Sequence, residues 1–251
     1  MKHRVVLGGC IVSAGCILLI VGWWLAIQPN HAAPLHTWSM DGPVRLVAVS
    51  ETAALIVAAD VPRDNQFSRW HLWSLDGQHV LEQSVRSPCR ITALAFTVQG
   101  TQLAVGFSDG SLDLWDIAQQ RHLSSPLLRL RHATPRQPSC GQTLANLFTW
   151  QGAAVASLAY QQDGRLLAIG SSRGEIQIVE VATGQVRFHF AMPPQPSGNL
   201  LSPEIGDLVF TPDEATLVFG ARTGRLGSGR LSRSPTLWRM SIRSTRARSG
   251  Q

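Results

Sequence analysis

The stretch "SDGSLDLWDI", residues 108–117, decides the reading of this chain. It opens with Asp109 and Gly110, residues suited to a tight turn, because glycine reaches positive φ at little cost and aspartate bonds its own backbone. It continues as "SLDLWDI", in which apolar and polar residues alternate as a strand requires. A turn feeding a strand that ends on Trp115-Asp116 is a small unit. Its significance depends on whether it recurs.

It does recur. "ITALAFTVQGTQLAVGFSDGSLDLWDI" (91–117) lies over "VASLAYQQDGRLLAIGSSRGEIQIVEV" (155–181) without a gap, at a constant offset of 64. "IGDLVFTPDEATLVFGARTGRL" (205–226) lies over the second copy at an offset of 50. A looser copy starts at Val44, "VRLVAVSETAALIVAAD", and passes through an insertion to "SRWHLWSLDG", ending at Gly77. Each copy holds an alternating apolar run, a turn, a second apolar run, a glycine-bounded turn and a third run. That is a three-strand antiparallel meander, with room for a fourth strand between repeats. Repeated four-stranded sheets with a spacing of about 40–50 residues imply a β-propeller.

These repeats resemble WD40 repeats of bacterial type. The likeness rests on Asp109 in the turn and on the Trp115-Asp116 pair. Trp73 in "HLWSLDG" (71–77) holds the matching place, and Val179-Glu180 replaces the pair in the later copy. It covers residues 44–226. The resemblance implies an all-β, WD40-like propeller of about three and a half to four visible blades, an incomplete ring where seven blades are usual. It also implies a network joining Asp, His, Ser or Thr, and Trp in each blade. Here Val105 stands at the Ser/Thr place, Ser87 at the histidine place, and Arg173 at the Asp place of the next repeat.

The N-terminus has a different character. Val5–Ile27 is a run of 23 uncharged residues, long enough as a helix to cross a hydrocarbon core of about 30 Å. Lys2 and Arg4 precede it and no Lys or Arg follows until Arg45, so residues 1–4 are expected in the cytoplasm and the repeats outside it. The nearest cleavage-like site, "NHAA" at 30–33, places His31 where a small residue is required, which favours a retained anchor over a signal peptide. Residues 28–43, with Pro29, Pro34 and Pro43, read as a stalk.

The formal charge of +6 is concentrated at the other end. Residues 222–251 carry eight arginines and no acid, leaving 14 basic against 16 acidic residues elsewhere. With the repeats outside the cytoplasm, nucleic acid is not the expected partner. The third copy follows its template to Leu226, after which "GSGR" replaces a strand core, so 227–251 reads as a disordered Arg/Ser-rich tail. One lysine against 21 arginines marks GC-rich coding, and a frameshift near codon 226 accounts for the break. An open half-ring would leave strand edges for another chain to complete.

"GFSDG" (106–110) and "GSSRG" (170–174) fit the nucleophile-elbow pattern, but an elbow needs a helix after it, and both are followed by alternating strands. The pattern also recurs at one register, and Arg222 takes the serine place in the third copy. No catalytic residue is expected. The histidines, including His71, His79, His122 and His132, lack metal-ligand spacing, so neither metal nor cofactor is expected.

Cys89 and Cys140 both lie in connections leading into a repeat; outside the cytoplasm they form either a disulfide or two unrelated loop thiols. Between Ala118 and Ala154 the connection exceeds what a blade needs. Its Arg129, Arg131 and Arg136 near Phe148 and Trp150 read either as a docking loop for a protein partner or as a strand plus a disordered insertion. The function expected is that of a membrane-anchored, noncatalytic protein-interaction platform. The alternatives are an envelope enzyme or ligand sensor using the propeller as a cup, or a frameshifted product without independent function.

Overall fold

The computed structural model describes residues 36–60, 67–86, 89–123, 140, 153–192, 203–213 and 215–231. The repeats lie in one compact unit that starts at Trp38. The expected span at 5–27 lies outside the described residues, among which no helix is long and apolar enough to cross a membrane.

Fifteen strands are described, in four antiparallel sheets. Blade 1 is β1 (Val44–Ser50), β2 (Leu55–Asp60), β3 (Phe67–Ser74) and β4 (His79–Arg86). Blade 2 is β5 (Ile91–Phe96), β6 (Gln102–Phe107), β7 (Leu112–Asp116) and the two-residue β8 (Arg121–His122). Blade 3 is β9 (Val155–Tyr160), β10 (Leu166–Ser171), β11 (Glu175–Glu180) and β12 (Val186–Ala191). Blade 4 has three strands: β13 (Ile205–Phe210), β14 (Thr216–Ala221) and β15 (Arg225–Arg230). Within each sheet the strands lie in chain order. Successive sheets meet through their first strands, β1 on β5, β5 on β9 and β9 on β13, so the first strands line the axis. The four blades do not close into a ring.

The packing between blades follows one rule. Each first strand presents three large residues backward, at the same spacing: Ile91, Leu94 and Phe96; Val155, Leu158 and Tyr160; Ile205, Leu208 and Phe210. A register irregularity after the first residue of each strand puts all three on one face. The preceding blade answers with small and branched residues. Ala95, Ala104, Leu112 and Leu114 of blade 2 meet blade 3, and Ala159, Ala168, Ile176 and Ile178 of blade 3 meet blade 4. In β6 and β10 a glycine forms the notch for the leading knob, while in β2 Ala59 stands at that place. A Cβ on Gly106 would lie 2.4 Å from Val155, and one on Gly170 would lie 2.7 Å from Ile205. Glycine is therefore required there for space.

Two sequence boundaries shift. The chain does not lose its strand at 227: β15 runs through Arg230 and pairs residue by residue with β14, Leu217 with Gly229 and Phe219 with Gly227. The reason is steric. A Cβ on Gly227 would lie 2.2 Å from the Phe219 ring, so the glycine of "GSGR" makes room for that buried phenylalanine, which also packs near Phe190. The stalk is likewise shorter than 28–43. Trp38 lies 5.9 Å from the Trp73 ring, Gly42 donates its N–H to Asp60 and Asp41 pairs with Arg69 at 2.6 Å, so residues 38–42 cover part of blade 1. The rest of the Arg/Ser-rich tail, 232–251, lies outside the described residues.

Candidate interaction face at the blade turns

Each first strand starts beside the turn that joins the second and third strands of its own blade, which puts the blade entries and these turns on one face. The G-x-S-x-G serines are the fasteners. Ser108 N–H donates to the Arg90 carbonyl at 2.9 Å, while Ser108 Oγ accepts the Arg90 N–H at 3.1 Å. Ser172 repeats this with Ala154, at 2.9 and 3.0 Å. In blade 4 Arg222 N–H donates to the Glu204 carbonyl at 2.9 Å, and its guanidinium pairs with the Glu204 carboxylate at 3.3 Å. Three residues at one register thus lock a blade entry to its turn. A serine hydroxyl engaged by a backbone N–H in two successive blades is a structural clamp.

Asp109 organises the centre of this face. One carboxylate oxygen accepts the Ser111 N–H at 3.0 Å and the Ser111 hydroxyl at 2.5 Å, closing the turn around Gly110, whose φ is +83°. Its other oxygen accepts the Cys140 N–H at 2.8 Å. Cys140 is joined to Cys89 by a disulfide with the Cα atoms 5.4 Å apart. The Cys89 carbonyl accepts a hydrogen bond from Ser68 Oγ of blade 1 at 3.2 Å. Blade 1, the entry to blade 2 and the long connection are therefore tied at one point. Ser87, at the histidine place, lies outside the described residues, and the acceptor oxygen of Asp109 holds the Cys140 backbone.

The remaining motif residues serve the blade interior and the opposite face. Trp115 is buried between blades 1 and 2, 5.2 Å edge-on from Trp70 and 3.9 Å from the His122 ring. With Val105 apolar, its indole N–H is buried without a hydrogen-bond partner. Asp116 accepts the Gln119 N–H at 3.0 Å and caps the turn into β8. Glu180, at the same place in blade 3, accepts from Thr183 Oγ1 at 2.6 Å and Arg187 at 2.5 Å, and these two donors hold its carboxyl below the usual range. Burial alone pushes the Tyr160 hydroxyl far above its usual value. Trp73 stacks on His71 at 5.4 Å. Of the proposed docking loop, Arg129, Arg131, Arg136, Phe148 and Trp150 all lie outside the described residues.

Sequence spacing gave no metal set, yet His71, His79 and Glu82 bring their ligand atoms within 4.8 Å of one another. Strand pairing accounts for this. His71 faces Glu82 across β3 and β4, 3.7 Å apart, and His79 pairs with Trp73. Three N/O donors are the number a zinc site with an open position uses. Here two of the three are exposed, and the cross-strand contact explains the arrangement without an ion.

Four-stranded antiparallel sheets stacked through their first strands define the class: propeller blades. Residues 72–116 match the family described as WD domain, G-beta repeat, and residues 145–197 match the anaphase-promoting complex subunit 4 WD40 domain. The repeats in these two matched stretches are WD40 repeats. The first match begins within blade 1 and ends on Asp116, so it crosses the interface between blades 1 and 2. No curated protein matches the chain. WD40 repeats of this kind suggest a protein-interaction platform.

Proposed function

We propose that this chain is a noncatalytic WD40 platform, anchored to a membrane by residues 5–27, that binds a protein partner at the face where the blade entries meet the turns. The observation that carries this reading is the seat of Cys140. Through a disulfide to Cys89 and a hydrogen bond to Asp109, it fixes a connection longer than blade geometry requires on that face. Arg136 is four residues before this anchor, and Trp150 is three residues before Ala153, which is buried at the entry to blade 3. Cations and aromatics in the sequence on either side of the seated Cys140 suit a protein partner. The noncatalytic part is supported by Ser108 and Ser172, whose hydroxyls hold the blade entries.

The test places a photo-crosslinking residue at Arg136 or Trp150, and for comparison at Gln162 on the opposite turns, in the full chain in its own membranes. Discrete adducts from the first two positions and none from Gln162 support the reading. Equal labelling from both faces, or from neither, overturns it. Alkaline carbonate extraction checks the anchor, since release of the chain into the supernatant contradicts it.

A further inference from the structure

The blade-to-blade contact is made three times, and its two halves are each left over once. At one end, blade 1 presents Val44, Val47 and Val49, each about half exposed. They occupy the register of Ile91, Leu94 and Phe96, and the same irregularity follows Val44 as follows Ile91. Leu46 and Ala48, on the other face, pack toward blade 2. Among the described residues the three valines are therefore a knob set without a notch.

At the other end, blade 4 presents the matching notch. Val209, Val218, Gly220 and Leu226 stand where blade 3 has Ala159, Ala168, Gly170 and Ile176. Ile176 is fully buried under blade 4, whereas Leu226 is half exposed. Among the described residues no atom lies within 4 Å of where a Cβ on Gly220 would point, although Gly106 and Gly170 are filled by Val155 and Ile205. Gly224 is open in the same way, while Gly174 meets Pro203. Five of the eight large apolar side chains exposed among the described residues lie on these two faces, so the apolar surface left over is concentrated there.

From this we infer that a second copy of the chain fills each end: the Val44, Val47 and Val49 face of one copy seats on the Val209, Gly220 and Leu226 face of the other, with Val44 entering the Gly220 notch. The contact continues the interface already made between blades 2 and 3 and between blades 3 and 4. It is heterologous, so it either closes or propagates. The described blades of two copies number eight, within the roughly 4–8 of closed propellers, and a twofold pair covers both of the described end faces in each copy. Trp38, already seated near Trp73, covers the outer part of the blade 1 face and leaves the axial valines for the partner copy.

The test uses the full chain in detergent micelles, with Cys10 and Cys16 changed to Ala and with two distinguishable tags. One tagged copy carries Val44→Cys and the other Gly220→Cys; oxidation is expected to yield a covalent dimer bearing both tags. Val186→Cys, exposed on β12, replaces Val44→Cys as the control and is expected to yield none. Light scattering of the unmodified chain is expected to give twice the 27.3 kDa protein mass. Val47→Lys, at an exposed position, should leave the blades folded by circular dichroism and weaken self-association at least about tenfold, because the contact would bury an unpaired charge. A monomer at tens of micromolar, crosslinking equal to the control, a ladder of longer species, or a different protein stably occupying either face would each overturn the inference.

Discussion

Changing Cys140 to Ser should cost the repeat unit about 4 kcal/mol, a figure that follows from the loop the disulfide closes. Cys89 and Cys140 are 51 residues apart in sequence, and cross-linking a loop of that size removes about 4 kcal/mol of chain entropy from the unfolded state. The Asp109 contact is to the Cys140 backbone N–H, so it survives the substitution in principle. It cannot hold the connection alone, however, since a single hydrogen bond contributes only about 1 kcal/mol. For a unit of this size each kcal/mol shifts the midpoint by about 2–4 °C, which predicts a fall of roughly 8–16 °C. Thermal unfolding of wild type, Cys140→Ser and Cys89→Ser, with and without reductant, measures it. Both variants should melt alike, and reductant should bring the wild type down to them while leaving them unchanged. A loss below about 1 kcal/mol, or variants that respond to reductant, would refute the argument that the bridge closes this loop in the folded protein.

Three more outcomes follow from the blade geometry. Gly106→Ala and Gly170→Ala should each destabilise by about 1–3 kcal/mol, since the new methyl meets Val155 or Ile205, while Gly220→Ala should leave blade stability within about 0.5 kcal/mol, as chemical denaturation would report. Ser108→Ala and Ser172→Ala should each cost about 1 kcal/mol by removing the acceptor for a blade-entry N–H, and esterase assays on membranes should show no activity that depends on either serine. Glu180, held below its ordinary value of 4.5, stabilises the fold above that pH and loses its contribution as pH falls through the lowered value. Arg187→Ala and Thr183→Val should therefore flatten the acid limb of a stability profile below about pH 4.5, by under about 1 kcal/mol for each variant.

The fold was legible because the repeat writes its own register. Offsets of 64 and 50 placed glycines and apolar residues in equivalent positions, and these are the residues that form the strands, turns and notches. Two features escaped pattern reading for physical reasons. "GSGR" looks like a strand end because it lacks side chains, but the space it leaves is filled by Phe219 from the neighbouring strand, a compensation that only pairing reveals. Residues 38–42 look like a linker because they carry no periodicity, yet single contacts from Trp38, Asp41 and Gly42 seat them on blade 1. The serine clamps were recognisable as something other than an elbow from their recurrence, but their job depends on a partner 18 residues upstream. His71, His79 and Glu82 meet only because β3 and β4 pair in one register. The residues of the docking loop give sequence alone as their argument, and Cys140 is where that argument touches the structure.

The most direct test of the blade account is amide hydrogen exchange on the full chain, read strand by strand. β6, β10 and β11 are largely buried and paired along both sides, and β7 is largely buried, paired with β6 along its length and with β8 at Trp115 and Asp116. They should exchange slowest, at or near the rate of global unfolding. β8 and β12, the outer edges of blades 2 and 3, should exchange much faster. That graded pattern, repeated in blades 2 and 3, is the predicted result. Uniform protection across inner and outer strands, or slow exchange at β12 with fast exchange at β10, would contradict it.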